Sequence, residues 1–230
     1  MKLAVIPARG GSKRIPRKNI RPFCDQPIIA WSIAAARDSG CFDRIIVSTD
    51  DAEIAQVARD AGAEAPFVRP AELSDDHTGT IAVVRHAIDW QAGHAVAPTL
   101  VCCIYATAPF VTAADLQQGL ATLERSGCDF ALSVTKYPFP IQRAIRIDSQ
   151  GRLSMFSPEH FRTRSQDLEE AFHDAAQFYW GRSEAWQAAD TLFGPASAAV
   201  VLPPHRVQDI DTPDDWVRAE WMFQAQRRAT

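Results

Sequence analysis

The chain has 230 residues, a net charge of −4 and 47% hydrophobic residues, so it can bury one large core or two small ones. No apolar stretch approaches membrane-spanning length, and the first apolar run is too short for a secretory signal, so we expect a cytoplasmic protein with no membrane partner. The five cysteines are odd in number and lack zinc-type spacing, so we expect neither a disulfide framework nor a zinc site.

The first predicted strand, residues 3–6, leads into a loop dense in positive charge. Residues 1–24 hold seven Lys and Arg and no Asp or Glu, so the other 206 residues carry a net −11. Gly10 and Gly11 allow the backbone to come close to an anion. Charge is supplied by Arg9, Lys13, Arg14, Arg17 and Lys18. Because ligands in open α/β sheets bind beyond the carboxyl ends of strands, we predict a polyphosphate site here.

Other interpretations of this loop stay open. It matches neither the P-loop nor the GxGxxG fingerprint, and a basic loop containing glycine can be merely solvated or can contact nucleic acid. The negative net charge and the absence of interleaved aromatic residues over 9–21 argue against RNA. The position at the end of a first strand favours polyphosphate.

Strand-like and helix-like segments alternate through the first two thirds of the chain, which predicts an α/β protein with a largely parallel sheet. Strands are predicted over residues 44–50, 65–69, 99–105, 130–137, 175–181 and 199–203. Helices are predicted after Pro27, after Asp50 or Asp51, from Thr80, over 113–125 and from about Thr212.

The alternation breaks at residues 137–173, which are rich in Pro, Arg and polar side chains and contain a possible hairpin around Gly151. We interpret this segment as an insertion within a single domain spanning residues 1–230. A subunit contact or a lid over the substrate would explain it.

Asp209 and Asp211 precede the last predicted helix and are separated by one residue. In an extended segment both carboxylates share a face, an arrangement that suits a hard cation such as Mg²⁺ bridging to phosphate. Alternatively, Asp209 pairs with an arginine such as Arg206, and Asp211 or Thr212 caps the helix. The basic loop on the same chain favours the metal.

Two further polar clusters lie between predicted elements. Arg69 could hold a ribose or a phosphate, while Thr78 or Thr80 could cap the next helix and also bind a nucleotide. Residues 162–177 are dense in Arg, Gln, Asp and His, which suits an acidic, hydroxyl-rich ligand, although a solvated loop has the same composition.

Six motifs occur in this order along the chain: IPARGGSKRIPRKN, VSTDDAEIA, RPAELSDD, IYATAPF, RTRSQDLEEAFHDA and HRVQDIDTPDDW. Together they resemble the cytidylyltransferases that activate nine-carbon nonulosonic acids, and most closely the pseudaminic acid branch. The first motif and the late DIDT are shared with the wider sialic acid family. YATAPF and RSQDLEEAFHDA are typical of the pseudaminic branch.

The resemblance implies a three-layer α/β/α nucleotide-diphospho-sugar transferase fold and a homodimer in which the insertion reaches the partner. It also implies transfer of CMP from CTP to a nine-carbon acidic sugar, with Arg9 and Lys18 as catalytic cations and Mg²⁺ on Asp209 and Asp211. The implied nucleotide-binding residues are Ala8, Gly10, Gly11, Ser12, Lys13, Asn19, Arg69 and Thr80. The implied sugar-binding residues are Tyr105, Thr107, Arg162, Arg164, Gln166, Asp167 and Gln177.

Two positions depart from the sialic acid relatives. Tyr105-Ala106 stand where those proteins have Gln-Pro, and Ala176 replaces a glycine expected after Ala175. Both departures concern the sugar end of the site, so legionaminic acid, N-acetylneuraminic acid and Kdo stay open as alternative substrates. A non-catalytic nucleotide- or RNA-binding protein also stays open.

Overall fold

The computed structural model describes residues 1–229. The main sheet contains the strands β1 (Lys2–Pro7), β4 (Arg44–Ser48), β5 (Leu100–Ile104), β6 (Phe130–Lys136), β9 (Phe172–Arg182) and β10 (Ser197–Leu202). Two small hairpins contain the strands β2 (Pro22–Phe23), β3 (Gln26–Pro27), β7 (Ile145–Ile147) and β8 (Leu153–Met155). The main sheet has the order β10-β6-β9-β5-β1-β4.

The helices are α1 (Ile28–Ser39), α2 (Ala52–Asp60), α3 (Thr80–His94), α4 (Ala113–Ser126), α5 (Ser183–Ala188) and α6 (Pro213–Ala229). Local sequence signals set their ends. Helix α1 stops at Gly40, whose φ of 63° is easily adopted by glycine, and α2 starts where the Asp51 carboxylate accepts a hydrogen bond from the Ile54 amide. Thr112 and Asp115 form a reciprocal capping box at the start of α4.

Alternate residues of the central strands pack into two separate cores. Leu3 and Val5 of β1 face α3 and α5, whereas Ala4 and Ile6 face α1, α2 and α4. This two-residue period follows from the pleat of a strand that is buried on both faces. The expected three-layer α/β/α architecture is therefore confirmed.

Helix α6 packs outside these layers through a third apolar cluster. Phe23 of the β2–β3 hairpin makes edge contacts with the Trp216 and Phe223 rings, at centroid distances of 5.5 and 5.3 Å. Ile210, just before α6, is fully buried in the same cluster. The segment containing Asp209 and Asp211 is thereby anchored beside the first loop of the chain.

Strand β9 runs antiparallel to both of its neighbours, β5 and β6, while the other five strands share one direction. Its pairing with β6 contains a bulge, where Ala176 has a φ of 50°. The Asp174 carboxylate accepts a hydrogen bond from the Ala176 amide at 2.8 Å, and the Ser133 hydroxyl accepts one from the Phe178 amide at 3.0 Å. These side chains satisfy backbone groups that the bulge removes from the ladder.

The insertion connects β6 to β9, and its predicted hairpin around Gly151 is confirmed as β7–β8. Since β9 reverses direction, the insertion leaves and returns at the edge of the sheet that holds the carboxyl ends of β1, β4 and β5. The small hairpin places most of its residues at the surface.

The predicted strand over residues 65–69 is wrong. The chain there forms a single bridge, between Glu64 and Ile46, and then continues as an irregular segment. Pro66 cannot donate to a ladder, and Val68 is exposed, so neither backbone nor burial supports a further edge strand. No helix within residues 1–229 is long and apolar enough to cross a bilayer.

Gly119 allows α4 to lie close against the sheet. A Cβ at this position would lie 2.6 Å from Trp180 Cδ1 and 2.7 Å from Phe178 Cε2, both in fully buried rings. We therefore expect Gly119→Ala to lower the free energy of unfolding by about 1–3 kcal/mol, through overpacking.

The matched control is Gly93→Ala in α3, where the added methyl group meets no atom within 4 Å. Helix propensity alone should raise stability there by about 0.5–1 kcal/mol. Chemical denaturation of both variants measures the two effects. Equal effects of the two substitutions would contradict the close-packing explanation.

Candidate active site

A cavity of about 480 Å³ lies at the carboxyl ends of β1 and β5. It is lined by residues of the basic loop, of the segment before α3, of the loop after β5 and of the segment before α6. These residues are Pro7, Arg9, Ser12, Lys13, Arg14, Lys18, Asn19, Arg69, Asp76, Thr78, Thr80, Val83, Tyr105, Ala106, Thr107 and Asp211. Most of the predicted nucleotide site is thus brought together in one cavity.

Two cations of the basic loop share one carboxylate. Arg9 and Lys13 both form ion pairs with Asp76, which belongs to the RPAELSDD motif. Hydrogen bonds from Lys13 and then Arg9 lower the pKa of Asp76 to about 2. Asp76 is therefore an internal counterion at the point where anionic phosphate oxygens are expected to bind.

Lys18 connects the first loop to the last one. Its ammonium group donates to the Ile210 carbonyl at 2.7 Å and to Asp211 Oδ1 at 3.2 Å. Arg14 pairs with the other oxygen of Asp211, at 2.9 Å. Motifs that are nearly the whole chain apart in sequence therefore form one charged site.

Backbone and carboxylate contacts fix the shape of the basic loop. The Gly10 amide donates to Asp50 at 2.9 Å, and a Cβ on Gly10 would lie 2.8 Å from Asp51 Oδ2. Asn19 donates to the Arg9 carbonyl at 2.9 Å. Ala8 is buried and Gly11 is exposed; with Gly10 they form the frame of the loop and do not line the cavity.

Arg17 is the cation of this loop that faces away from the cavity. Its guanidinium pairs with Asp51 and Glu53 at the start of α2, and its own backbone is left-handed, with a φ of 57°. Those contacts raise the pKa of Arg17, chiefly through the hydrogen bond to Asp51. Arg17 therefore stabilises the loop from outside.

Arg69 is the most unusual side chain in the cavity wall. It is only 4% exposed, yet its Nε and Nη2 groups have no hydrogen-bond partner among residues 1–229. The nearest carboxylate oxygen, on Asp50, lies 3.8 Å from Nη2. Burial lowers the pKa of this guanidinium, although Asp50 opposes the shift. Buried unpaired donors are costly, so they indicate a ligand with acceptor atoms.

Asp209 and Asp211 have different surroundings. Asp211 binds Lys18 and Arg14, whereas no described residue forms a hydrogen bond or ion pair with the Asp209 carboxylate. Partial loss of solvent and then the charge of Asp211 raise the pKa of Asp209. The charge of Lys18 opposes this shift without a direct pair to Asp209, and a carboxylate with no direct partner beside a second carboxylate fits a divalent ion.

One part of the non-metal interpretation of this segment, the pairing of Asp209 with Arg206, is wrong, and the other part, the helix cap by Thr212, is confirmed. Arg206 makes a two-point ion pair with Asp115, at 2.6 and 2.9 Å, and does not pair with Asp209. Thr212 and Asp215 form a reciprocal cap at the start of α6. Asp209 is needed for neither contact.

A second cavity of about 510 Å³ adjoins the first, and Thr80 and Tyr105 line both. Its polar wall includes Asp174 and Tyr179, and Phe193 lies at its apolar side. The Tyr179 hydroxyl donates to Asp174 Oδ2, and the oxygens of Tyr179 and Tyr105 lie 3.3 Å apart.

The predicted sugar-binding residues separate into two groups. Tyr105 and Thr107 line the first cavity, and Gln177 lies buried below, donating to the Arg206 carbonyl. The remaining four are exposed in the insertion and line neither cavity of their own chain: Arg162, Arg164, Gln166 and Asp167. Gln166 instead contributes to a groove within the insertion.

Sequence reasoning missed Asp76, Asp174, Tyr179 and Phe193 as site residues. A signal existed for Tyr179, because period-two alternation places it on the opposite face from Phe178 and Trp180. The role of Asp174 depends on the bulge, which the sequence pattern does not reveal.

The layered fold, together with a cationic cavity beside two carboxylates, defines a nucleotidyltransferase. A model of the family described as Cytidylyltransferase matches residues 3–186. The chain is 45% identical over 221 residues to a pseudaminic acid cytidylyltransferase from Campylobacter jejuni subsp. jejuni, covering 96% of this chain and 95% of that one. The chain belongs to the cytidylyltransferase family.

More distant relatives agree with this assignment. The chain is 31% identical to a CMP-N,N'-diacetyllegionaminic acid synthase from Legionella pneumophila, covering 99% of this chain and 98% of that one. Among solved structures, CMP:2-keto-3-deoxy-manno-octonic acid synthetase complexed with CTP has the same fold, with a TM-score of 0.72 at 15% identity. That alignment covers 98% of this chain and 99% of that one.

Because the donors of Arg69 are unpaired, its replacement should weaken ligand binding without lowering stability. Arg69→Met should weaken nucleoside triphosphate binding, probed with CTP by calorimetry, about tenfold or more, because hydrogen bonds from a charged donor are lost. The ligand-free variant should be no less stable than the original chain, since a buried unpaired cation is removed.

Arg44→Met is the control, because this arginine is partly buried but fully paired. It bonds to Glu64 at 2.9 Å and to Gln91 at 2.5 Å. The substitution should lower the melting temperature and leave CTP affinity unchanged. If Arg69→Met lowers stability and spares CTP affinity, Arg69 is a structural residue.

Proposed function

We propose that this enzyme transfers CMP from CTP to pseudaminic acid and releases pyrophosphate. The observation that carries the proposal is the pair of adjoining cavities, one cationic and one lined by hydroxyl and carboxylate groups, which share Thr80 and Tyr105. The choice of acid rests on the 45% identity to the Campylobacter enzyme.

The cationic cavity holds the triphosphate of CTP. Arg9 and Lys13 exchange Asp76 for phosphate oxygens, and Lys18 remains beside Asp211 to contact the reacting phosphate. Arg69 donates its free N–H groups to the nucleotide. Cations fixed in this way stabilise charge that moves onto the leaving pyrophosphate without reorganising during the reaction.

Asp209 and Asp211 would hold Mg²⁺. No cluster of three or more His, Cys, Asp or Glu suited to a metal occurs within residues 1–229, so two carboxylates provide the protein ligands and phosphate and water complete the set. When bound, the ion neutralises phosphate charge and acidifies a hydroxyl group that contacts it. The unpaired Asp209 carboxylate supports this assignment.

The acid binds in the second cavity, with its anomeric hydroxyl directed toward the first. That oxygen loses its proton to water as it attacks the α-phosphorus of CTP, the bond from the α-phosphorus to the oxygen bridging to the β-phosphorus breaks, and pyrophosphate leaves in line. Tyr105, which lines both cavities, and Thr107, which lines the first, position the acid. The protein forms no covalent intermediate in this scheme.

The insertion contributes to a homodimer and to the acid site of the partner. Its surface carries a dense set of exposed apolar side chains: Phe139, Ile141, Ile145, Ile147, Leu153, Phe156 and Phe161. Such a surface is typical of an interface. Four polar residues of the insertion line neither cavity of their own chain, so a lid over the partner's cavity gives them a role. These residues are Arg162, Arg164, Gln166 and Asp167.

We also propose a domain organisation and a cellular location for the enzyme. Residues 1–230 form one catalytic domain, and its insertion is the dimer contact and the lid of the partner's acid site. The enzyme acts in the cytoplasm, where CTP is made; the five cysteines are free thiols, as reducing conditions require.

The function is tested by incubating the enzyme with CTP, Mg²⁺ and a panel of acids while measuring pyrophosphate release. Pseudaminic acid should be the best substrate, ahead of legionaminic acid, N-acetylneuraminic acid and Kdo. Asp209→Asn and Asp211→Asn should each lower turnover about a hundredfold or more by removing a metal ligand. Thr212→Ala, which changes only the helix cap, should keep most of the turnover.

A faster reaction with another acid would reassign the substrate and leave the enzyme class intact. CTP binding without pyrophosphate release from any acid would instead favour a nucleotide sensor. Near-normal turnover by Asp209→Asn at limiting Mg²⁺ would contradict the metal assignment.

Subunit mixing tests the lid. Lys18→Ala inactivates a cavity, and the double substitution Arg162→Ala/Arg164→Ala inactivates an insertion. If each insertion serves the partner's cavity, co-refolded mixtures of the two inactive proteins should regain about a quarter of the original activity, because half of the dimers are mixed and each has one intact site. No recovery in a mixture shown to contain mixed dimers would restrict the insertion to its own subunit.

A further inference from the structure

Three side chains in the wall of the second cavity form a hydrogen-bonded series. The Tyr179 hydroxyl donates to Asp174 Oδ2, and its oxygen lies 3.3 Å from that of Tyr105. All three residues line the cavity, and Tyr105 alone also reaches the first one. In the proposed reaction Tyr105 only positions the acid, and Asp174 contacts neither substrate.

The negative charge of Asp174 decides which hydroxyl donates in each hydrogen bond of this series. A phenol has a single proton, and a hydrogen bond to a carboxylate is stronger than one to another phenol, so Tyr179 donates to Asp174. Because Tyr179 has no second proton, the 3.3 Å contact needs Tyr105 as its donor, while Thr80 is a further hydrogen-bond donor to the Tyr105 oxygen. Burial, foremost, raises the pKa of both tyrosines, so both hydroxyls remain protonated.

A second hydrogen bond, to the other carboxylate oxygen, holds Asp174 in place. Its Oδ1 accepts the hydrogen bond of the Ala176 amide at 2.8 Å, where the chain is left-handed in the β9 bulge. A non-glycine residue in this conformation is strained, so the bond that stabilises it also fixes the carboxylate. The series therefore has one stable orientation.

We propose that Asp174 is a positioning residue which, through Tyr179, makes the Tyr105 oxygen an obligate hydrogen-bond acceptor in the acid site. The second cavity would then select acids that present an N–H or O–H donor to Tyr105, such as the N–H of an acylamino group, over acids that present an acceptor there. This inference rests on the proposed function, since it requires the acid to occupy the second cavity.

Asp174→Asn tests the proposal with almost no change in shape. The amide oxygen can still accept from Ala176, but the amide nitrogen is now a donor facing Tyr179. The order of protons reverses, and Tyr105 presents a proton to the acid. We expect the KM for the acylamino acid to rise about tenfold or more, because a buried donor is left opposite a donor. The KM for CTP and kcat should change little.

Asp43→Asn is the matched control, because the Asp43 carboxylate also accepts a backbone hydrogen bond, from the Lys2 amide at 2.6 Å, and lines neither cavity. It should leave the KM for the acid nearly unchanged. The double variant Asp174→Asn/Tyr179→Phe should be no worse than Tyr179→Phe alone, because Asp174 acts only through that hydroxyl. Additive effects in the double variant, or equal effects of Asp174→Asn and Asp43→Asn, would overturn the proposal.

Tyr105→Phe gives a second test that leaves the bulge untouched. Loss of the acceptor oxygen should raise the KM for the acylamino acid and spare the KM for CTP, and an unchanged KM for the acid would overturn the proposal. Failure of the unmodified enzyme with every acid would overturn the proposed function instead. The two failures are therefore distinguishable.

Discussion

The site depends on one interaction, the contact of the Lys18 ammonium group with the Ile210 carbonyl and the Asp211 carboxylate. A largely buried ammonium group requires acceptors, and these come from a segment almost the whole chain away. Ile210 is itself fully buried beside α6, so the segment cannot move independently of that helix. The first loop and the last loop therefore form a site only when the entire domain is folded.

The basic loop also shows how carboxylates can compensate concentrated positive charge before a ligand binds. Each cation that faces the cavity has an internal carboxylate: Asp76 serves Arg9 and Lys13, and Asp211 serves Arg14 and Lys18. These pairs limit self-repulsion before an anion binds, and the more exposed pairs of Asp76 with Arg9 and Lys13 can exchange for other anions. Arg69 differs because its donors are buried and unpaired, so it gains most from a ligand.

The sequence predicted those parts of the molecule that local signals determine. Gly40 ends α1 and Asp51 begins α2 as expected, and charge clustering located Arg9, Lys13 and Lys18. The strand over residues 65–69 was wrong because Pro66 cannot donate to a ladder and Val68 is exposed. Asp174 and Tyr179 could not be paired from sequence, since their contact depends on a bulge and on strands brought together by tertiary pairing.

The reversed direction of β9 has a consequence for how such a domain can diversify. Both ends of the insertion meet the sheet at one edge, and the small β7–β8 sheet is hydrogen-bonded separately from the main sheet. Residues between the two junctions can therefore change in number and kind while the ladder beneath keeps its register. A gene encoding this chain could therefore change the surface that the insertion presents by replacing one continuous stretch, without altering the pairing of the six-stranded sheet.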